Sequence, residues 1–345
     1  MLTRNALDMQ EVYIIKGEEP PMYLLYNDST DPAFNLALEE YALTQLNEDI
    51  IMLWRNAPAV IIGQNQNAIA EMDLDYIREN NIKVIRRQSG GGAVFHDLGN
   101  INFTVIHALG KDDFNNYAKF TAPICEFLNT LGVKAYLHGR NDLLIDGLKF
   151  SGNAQAVRGG RIMHHGTLLF NADVTALAKS LRPNPAKIQS KGIASVKSRI
   201  TNIAAHLPKE ITVEEFLLKL YDFFGKQEGI EEYCMTNADR AATNELVDKK
   251  YGTWEWNIGN SPPYQYNKSE YFPFGSVEVS INAKNALIDD IAVRGDFFGV
   301  NDIAELEAKL CGIPHEKKEI ELALKDINLA DYISGIEPEQ FLKLF

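Results

Sequence analysis

The sequence has few cysteines, no long apolar run and no apolar stretch in its first 22 residues. Its three cysteines, Cys125, Cys234 and Cys311, lie far apart and form no CxxC pair, which indicates reduced thiols rather than a disulfide framework or a zinc site. No apolar run approaches the roughly 18 residues that cross a bilayer. Residues 1–22 lack the apolar stretch and small-residue cleavage site of a signal peptide. We therefore expect a cytoplasmic protein.

Basic residues are also scarce. The chain has 34 lysines and arginines against 47 acidic residues, a formal net charge of −13. This balance disfavours nucleic acid or an anionic membrane as the main partner, because both attract an excess of Lys and Arg. Residues 179–199 break the trend, with six basic residues and no acidic one. This basic stretch is either a solvated loop or a local patch for phosphates or an acidic partner.

The pattern of apolar residues predicts an α+β protein. The 345 residues are 46% hydrophobic and 23% charged, which suits one large domain or two ordinary ones. Helix and strand patterns are mixed without strict βαβ alternation, which favours mixed, mainly antiparallel sheets over a doubly wound nucleotide fold. Residues 256–274 are rich in Pro, Asn and Tyr and predict a linker before a small α+β domain.

Three local signals fix the ends of elements. Asp31 and Pro32 are typical of an N-cap followed by the first helical position, and Thr212 with Glu215 forms a capping box. Asp146-Gly147 is a strong hairpin turn. The turn places Lys149 at the start of the returning strand.

A run of three glycines stands within "RRQSGGGAVFHD", residues 86–97. It is neither a P-loop nor a dinucleotide fingerprint, because no Lys-Ser/Thr follows and the next residues are strand-like. Taken alone, it is a bulge, a flexible tip or a site of close backbone approach. Arg86, Arg87 and His96 flank it, and glycine lets backbone N–H groups come close to phosphate or carboxylate oxygens. We therefore favour an anion-binding loop.

A second cluster is "GRNDLLIDGLKFSGNAQA", residues 139–156. Lys149 is either a lysine at a strand edge facing water or a point charge for an α-phosphate and a carboxylate. Asp142, in the facing arm of the hairpin, would suit Mg²⁺, since this ion needs only one or two carboxylates beside nucleotide phosphates.

Two adjacent histidines occur in "MHHGTLLF", residues 163–170. Neighbouring side chains of a strand point to opposite faces, so His164 and His165 cannot bind one metal together. We expect one of them to lie in the core. Gly166 and Thr167 indicate another close approach of the backbone.

Four motifs in this order, "RRQSGGGAVFHDLGNINF", "GRNDLLIDGLKFSGNAQA", "HHGTLLFNAD" and "KGIASVKSRITN", resemble the lipoate–protein ligase A family. The resemblance implies a biotinyl/lipoyl ligase catalytic domain over residues 22–255, a linker at 256–273 and an accessory domain at 274–345. Residues 1–21 have no counterpart in it and form an extension of uncertain status.

The resemblance implies a two-step reaction. Lipoate and Mg-ATP would give lipoyl-adenylate and pyrophosphate. The lipoyl group would then pass to a lysine of an acceptor, either the lipoyl domain of a 2-oxoacid dehydrogenase E2 subunit or the glycine-cleavage H protein. We expect a monomer. Residues 256–274 would serve as a hinge and residues 190–198 as a lid.

The resemblance also implies roles for individual residues. Lys149 would be the catalytic contact to the acyl carbonyl and the α-phosphate, Asp142 would carry the metal, and the basic stretch would lie near the nucleotide or the acceptor. The residues implied for lipoate and lipoyl-AMP are Arg87, Ser89, Gly91, Gly92, His96, Ser151, Ala154 and His165. The residues implied for ATP are Gly92, Val94, Phe95, Asn100, Asn141, Asp142 and Lys149.

Three other functions compete with this interpretation. Octanoyl- or lipoyl-transferases of the same fold use a cysteine nucleophile and no ATP, yet no cysteine lies in the glycine run or beside Lys149, and Cys125 sits in a helical pattern typical of a core residue. A biotin ligase would carry a different glycine- and arginine-rich loop. A non-catalytic lipoyl-binding protein would have a degenerate site, whereas Lys149, Asp142 and the glycines are all present.

Overall fold

The computed structural model describes residues 21–66, 68–181, 199–259, 266–284, 287–315 and 317–345. The N-terminal extension apart from its last residue, most of the basic stretch with the expected lid, and residues 260–265 of the expected linker lie outside the described residues. Among those described, no helix is both long and apolar enough to span a bilayer.

Fourteen strands form three sheets in the described parts of the chain. They are β1 (Met22–Tyr26), β2 (Asp49–Trp54), β3 (Ala59–Ile62), β4 (Lys83–Arg86), β5 (Val94–His96), β6 (Asn100–Ala108), β7 (Ala135–His138), β8 (Asp142–Ile145), β9 (Leu148–Arg158), β10 (Arg161–Leu169), β11 (Ile230–Glu232), β12 (Tyr266–Phe272), β13 (Gly275–Lys284) and β14 (Leu287–Gly295).

Ten α-helices accompany the sheets in the described residues. They are α1 (Pro32–Thr44), α2 (Ala68–Glu71), α3 (Leu74–Glu79), α4 (Tyr117–Thr130), α5 (Val174–Ser180), α6 (Val213–Gly225), α7 (Asn237–Leu246), α8 (Ile303–Leu310), α9 (Lys317–Leu324) and α10 (Pro338–Leu342). The predicted helix starts are confirmed: Asp31 caps α1 through the N–H of Ala33, and the capping box of Thr212 and Glu215 opens α6.

The main sheet has eight strands in the order β11-β1-β2-β6-β10-β9-β8-β7. The two pairings of β1 are parallel, and all the others are antiparallel. The hairpin expected at Asp146-Gly147 joins β8 to β9, and both turn residues have positive φ, 50° and 80°. This hairpin places Lys149 of β9 opposite Leu144 and Gly152 of β9 opposite Asp142, so that the side chains of Lys149 and Asp142 can meet.

A second, three-stranded sheet has the order β4-β3-β5. Helix α1 packs between this sheet and the main one, because apolar residues on several of its faces are buried. Leu36 and Leu38 share a core cluster with Trp54 of the main sheet and Ile61 of the small one. The glycine run leaves β4 and enters β5, so it lies at the end of the small sheet.

On the main sheet, α4 and α6 cover one face. Phe127 and Phe216 meet there in an edge-to-face contact at 5.2 Å between ring centroids. These rings lie in one cluster with Phe103 of β6 and Phe150 of β9, both fully buried. This buried aromatic cluster lies beneath the strands β9 and β10 that carry polar side chains of the site.

The third sheet, β12-β13-β14, and helices α8 to α10 form a C-terminal domain with its own core. Val277, Val279 and Ile281 lie on the buried face, as their alternation predicts. Tyr266–Phe272, which was predicted to belong to the linker, forms strand β12 and pairs with β13. Only the last residue of this edge strand is buried, so it carries no apolar alternation from which it could be recognised.

Candidate active site

A cavity of about 500 Å³ lies between the glycine run, the β8–β9 hairpin, β10 and the C-terminal domain. The part of the lining that comes from the catalytic domain has apolar and polar side chains. The apolar ones include Leu36, Trp54, Ile61, Val94 and Ala154, and the polar ones include Arg87, His96, Asn141, Asp142, Lys149 and His165. The C-terminal domain contributes Tyr271, Phe274, Asp296 and Phe298. The volume and the mixed lining fit a small-molecule ligand that is partly apolar and partly charged.

Arg87 organises the glycine run from beneath. Its guanidinium donates to the carbonyls of Gly90 at 2.7 Å and Gly92 at 2.9 Å, and its Nε donates to Ser89 Oγ at 3.0 Å. Burial lowers the pKa of Arg87 to about 10, so the side chain stays charged at neutral pH. The run is therefore an ordered loop rather than a flexible tip, with a positive charge beside the cavity.

The glycines have different reasons to be glycine. Gly91 has φ +94°, a conformation that other residues rarely adopt. A Cβ at Gly90 would lie 2.1 Å from the carbonyl oxygen of Phe297, and Gly91 N–H donates to that same oxygen at 3.1 Å. The close approach expected of a ligand is thus made, at Gly90, by the C-terminal domain. Gly91 and Gly92 line the cavity.

The neighbouring Arg86 is structural. Its guanidinium donates to the carbonyls of Gly63 at 3.0 Å, Gln66 at 2.7 Å and Trp256 at 3.0 Å. Arg86 is buried and does not line the cavity. It ties the end of the small sheet to the segment at Glu255–Gly259 that leads toward the C-terminal domain.

The central charge pair is Lys149 with Asp142, whose Nζ and Oδ1 lie 2.7 Å apart. A β-bulge shifts the β8–β9 register so that Leu144 pairs with Lys149 and Phe150 becomes the extra residue. Such bulges re-aim side chains beside active sites. A Cβ at Gly152 would lie 3.0 Å from Lys149 Nζ, so this glycine leaves room for the ammonium.

The backbone of Lys149 is fixed as well. Its N–H donates to the carbonyl of Arg199 at 2.8 Å, and its own carbonyl accepts from Thr201 N–H at 2.9 Å. The chain that follows the basic stretch therefore returns directly to the residue that carries the central charge.

Buried hydrogen-bond partners hold His165 in place. Its Nδ1 lies 2.8 Å from Glu39 Oε1 and its Nε2 lies 2.6 Å from Ser89 Oγ. The same Glu39 oxygen accepts from the hydroxyl of Thr104 at 2.6 Å. Because the carboxylate can only accept, His165 Nδ1 carries the proton, and Ser89 donates to Nε2. Glu39 was not among the predicted residues. Its signal was an acidic residue inside the apolar pattern of α1.

A second chain of hydrogen bonds, through three asparagines, holds His96 in place. Asn27 donates to Asn35 at 2.8 Å, Asn35 donates to Asn56 at 2.8 Å, and the Asn56 amide nitrogen lies 3.1 Å from His96 Nδ1. Since Asn56 Oδ1 is the acceptor in this series, its NH₂ donates to His96 Nδ1. The proton of His96 is therefore on Nε2, which has no partner among the described residues. Burial lowers the pKa of His96 to about 3, so the ring is a neutral donor.

These features coincide with a family match. Residues 31–225 match the model of the lipoyl protein ligase A/B catalytic domain, and residues 261–345 match that of the bacterial lipoate protein ligase C-terminus. The chain belongs to the lipoate–protein ligase family. The family comprises ATP-dependent ligases, so the enzyme class expected from the motifs is confirmed.

Two curated relatives of this ligase align over nearly their whole length. Lipoate-protein ligase LplJ of Bacillus subtilis is 42% identical over 91% of this chain and 96% of its own. Lipoate–protein ligase 1 of Staphylococcus aureus is 42% identical over 93% of this chain and 99% of its own.

Solved structures confirm the α+β ligase fold. Plasmodium falciparum LipL1 in complex with lipoate is similar with a TM-score of 0.77 and 28% identity, over 94% of this chain and 97% of that one. A bi-partite ligase of Thermoplasma acidophilum, described with its E2 lipoyl domain, gives 0.62 and 30% over 72% and 99%. A lipoate-protein ligase A bound with ATP gives 0.60 and 28% over 70% and 99%.

Most residues expected at the site of the ligase line one cavity, but four do not. Phe95 packs in a core cluster with Val60 and Ile62, because it lies between Val94 and His96 on β5 and so faces the other way. Asn100 is fully buried and donates to Asn102, which lines the cavity in its place. The side chains of the other two, Ser89 and Ser151, are buried behind the wall.

His164 is the core histidine that the alternation predicted. Its ring stacks on Phe120 with 4.7 Å between centroids, and burial places its pKa well below the ordinary value. His164 and His165 thus take separate roles on opposite faces of β10.

No cysteine of the described ligase lines the cavity. Cys125 lies on α4, and burial raises the pKa of its thiol to about 11, which keeps it protonated. A thiolate nucleophile of the transferase type is therefore not offered by the described site.

A resident metal centre is also absent from the described residues, where no three His, Cys, Asp or Glu side chains gather to hold an ion. Two carboxylates, Asp142 and Asp296, line the cavity. This donor set is too small to retain a metal alone, but it fits a Mg²⁺ ion that arrives with nucleotide phosphates.

Proposed function

We propose that the ligase joins lipoate to ATP in this cavity as lipoyl-adenylate and then transfers the lipoyl group to a lysine of an acceptor domain. The observation that carries the proposal is the Lys149–Asp142 pair in a cavity that also holds Trp54, Ile61 and Val94. The apolar side chains can contact the acyl chain of lipoate, and Lys149 can contact its carboxylate.

The first step begins with the lipoate carboxylate, which is a poor acyl donor. One of its oxygens attacks the α-phosphorus of ATP, the bond to the β-phosphate oxygen breaks, and pyrophosphate leaves. Negative charge develops on the α-phosphoryl oxygens, where Lys149 supplies a fixed positive charge. Arg87, which also lines the cavity, adds positive potential.

Asp142 is the residue that would hold Mg²⁺, which offsets negative charge on the phosphates when it is bound. Asn141 lies beside it and is fixed by donating to the Asn153 carbonyl at 2.6 Å. Catalysis of this kind needs position and electrostatics rather than a protein nucleophile.

In the second step, the uncharged ε-amine of the acceptor lysine attacks the acyl carbon. The bond between the acyl carbon and the phosphate oxygen breaks, AMP leaves with its electron pair, and the proton of the new amide nitrogen is released to solvent. We propose a lipoyl domain or a glycine-cleavage H protein as acceptor. The support is that the Thermoplasma ligase is described with its E2 lipoyl domain. A basic stretch on an acidic ligase would complement an acidic acceptor.

We further propose that the catalytic domain extends to residue 255 and that the C-terminal domain begins at Tyr266, where β12 starts. Contact between the two near Phe297 and Phe298 then makes the C-terminal domain a part of the site rather than an appendage.

Pyrophosphate exchange tests the first step. The purified protein with lipoate, unlabelled ATP, Mg²⁺ and labelled pyrophosphate should form labelled ATP without any acceptor, and exchange should stop when lipoate is omitted. If exchange is absent while acyl transfer from a carrier protein proceeds, the ligase assignment fails and the transferase alternative replaces it. Octanoate in place of lipoate measures acyl preference in the same assay.

A further inference from the structure

Arg140 is a basic side chain of the cavity with a buried donor still to be satisfied. It immediately precedes Asn141 and Asp142, and it lines the cavity with them. Its Nη1 is buried and has no hydrogen-bond partner in the described parts of the chain. A buried polar group without a partner costs stability, so such groups in native sites point to an absent ligand or solvent.

The other two strongly basic side chains of the described lining are already engaged. Lys149 pairs with Asp142 at 2.7 Å. Arg87 spends its donors on Ser89 and on the carbonyls of the glycine run. Arg140 therefore has the donor capacity that an incoming anion can use.

Arg140 is held by the C-terminal domain. Its guanidinium carbon lies 4.3 Å above the ring centroid of Phe298, a residue that is only 1% exposed. The Phe298 ring also closes on the glycine run, because a Cβ at Gly91 would lie 3.3 Å from its Cζ. One aromatic side chain thus contacts both the glycine run and Arg140.

We propose that Arg140 contacts the phosphates of ATP and that Phe298 is a positioning residue that holds the guanidinium toward them. The proposal rests on the proposed function, which places ATP in this cavity. A planar guanidinium matches the oxygens of a phosphate, and Arg140 directly precedes the residues assigned to phosphate and Mg²⁺, Asn141 and Asp142. The carboxylate of lipoate is the other anion that could meet it, and the test separates the two.

The first measurement is the Kd for Mg-ATP and, separately, the Kd for lipoate, by isothermal titration calorimetry. Arg140→Gln should weaken ATP binding about tenfold or more, as expected for loss of a charge-assisted hydrogen bond, and should leave lipoate binding unchanged. Arg240→Gln is the matched control, because Arg240 is exposed on α7 and outside the cavity. Unchanged ATP binding, or a loss confined to lipoate, would overturn the assignment.

The second measurement tests Phe298. Phe298→Leu should weaken ATP binding about two- to tenfold, the range for a lost cation–π contact, whereas Phe298→Tyr keeps a ring and should restore it. In the Arg140→Gln background, Phe298→Leu should have no further effect. An equal effect in both backgrounds would show that Phe298 acts only by packing. If Phe298→Leu does not fold, as judged by thermal unfolding, Phe298→Met replaces it in the cycle.

The two levels of failure are distinguishable. A wild-type protein without lipoate-dependent pyrophosphate exchange refutes the proposed function, and this inference with it. A wild-type protein that exchanges and binds ATP, beside an Arg140→Gln variant that binds ATP equally well, refutes the inference alone.

Discussion

Replacing Lys149 by methionine separates catalysis from folding. The side chains of Lys149 and Asp142 are 39% and 35% exposed, so their ion pair contributes only about 0–1 kcal/mol to stability. Methionine keeps the length of the side chain but removes its charge. The loss of a preorganised charge at a developing oxyanion costs about 10²–10³ in rate. Lys149→Met should therefore lower pyrophosphate exchange by about that factor while unfolding in urea at almost the wild-type midpoint.

The control for this experiment is Lys83→Met. Lys83 forms a similar ion pair with Asp31, at 3.0 Å and with 55% and 47% exposure, outside the cavity. Its loss should change neither exchange nor stability appreciably. Exchange by Lys149→Met at the wild-type rate would refute the central role of this charge. A large loss of stability would instead show that the pair is structural.

Two further predictions concern stability. His96 and His164 are buried with lowered pKa values, so below pH 6.5 the unfolded chain binds protons that the folded chain does not. The free energy of unfolding should then fall by up to about 1.4 kcal/mol per pH unit for each histidine as the pH is lowered. His164→Gln should reduce this pH dependence between pH 6.5 and 5, as measured by urea unfolding. An unchanged pH dependence would contradict the prediction. Gly90→Ala should destabilise the docked C-terminal domain, because its Cβ would lie 2.1 Å from Phe297 O, whereas Gly225→Ala meets only a side chain at 3.7 Å and should be neutral or stabilising. Limited proteolysis and thermal unfolding compare the two variants, and equal behaviour would refute the packing argument.

Local signals in the sequence were sufficient for much of the fold. The Asp146-Gly147 turn, the cap at Asp31 and the box at Thr212 depend on neighbouring residues, so their physics is contained in short segments. Strand β12 escaped recognition because an edge strand buries too little to need apolar alternation. Its assignment required the register against β13.

The site was predictable where motif residues face the ligand cavity, as Lys149 and Asp142 do. It was not predictable where contacts join distant segments. Glu39 reaches His165 across 126 positions, and Phe298 comes to Arg140 from another domain. Phe95 was misplaced for a simpler reason, since strand alternation already turns it away from Val94 and His96. The cytoplasmic location and the monomeric state stay predictions.

The chain of asparagines that ends at His96 decides which ring nitrogen of this cavity-lining histidine carries the proton. Every amide in the series donates in one direction, from Asn27 to Asn35 to Asn56 and on to the ring. The isosteric change Asn56→Asp would keep the acceptor used by Asn35 but remove the donor to His96. The imidazole would then place its proton on Nδ1 and offer a lone pair at Nε2. The change of Asn56 to Asp would thus convert His96 Nε2 from a hydrogen-bond donor, which needs an acceptor on the ligand, into an acceptor, which needs a donor.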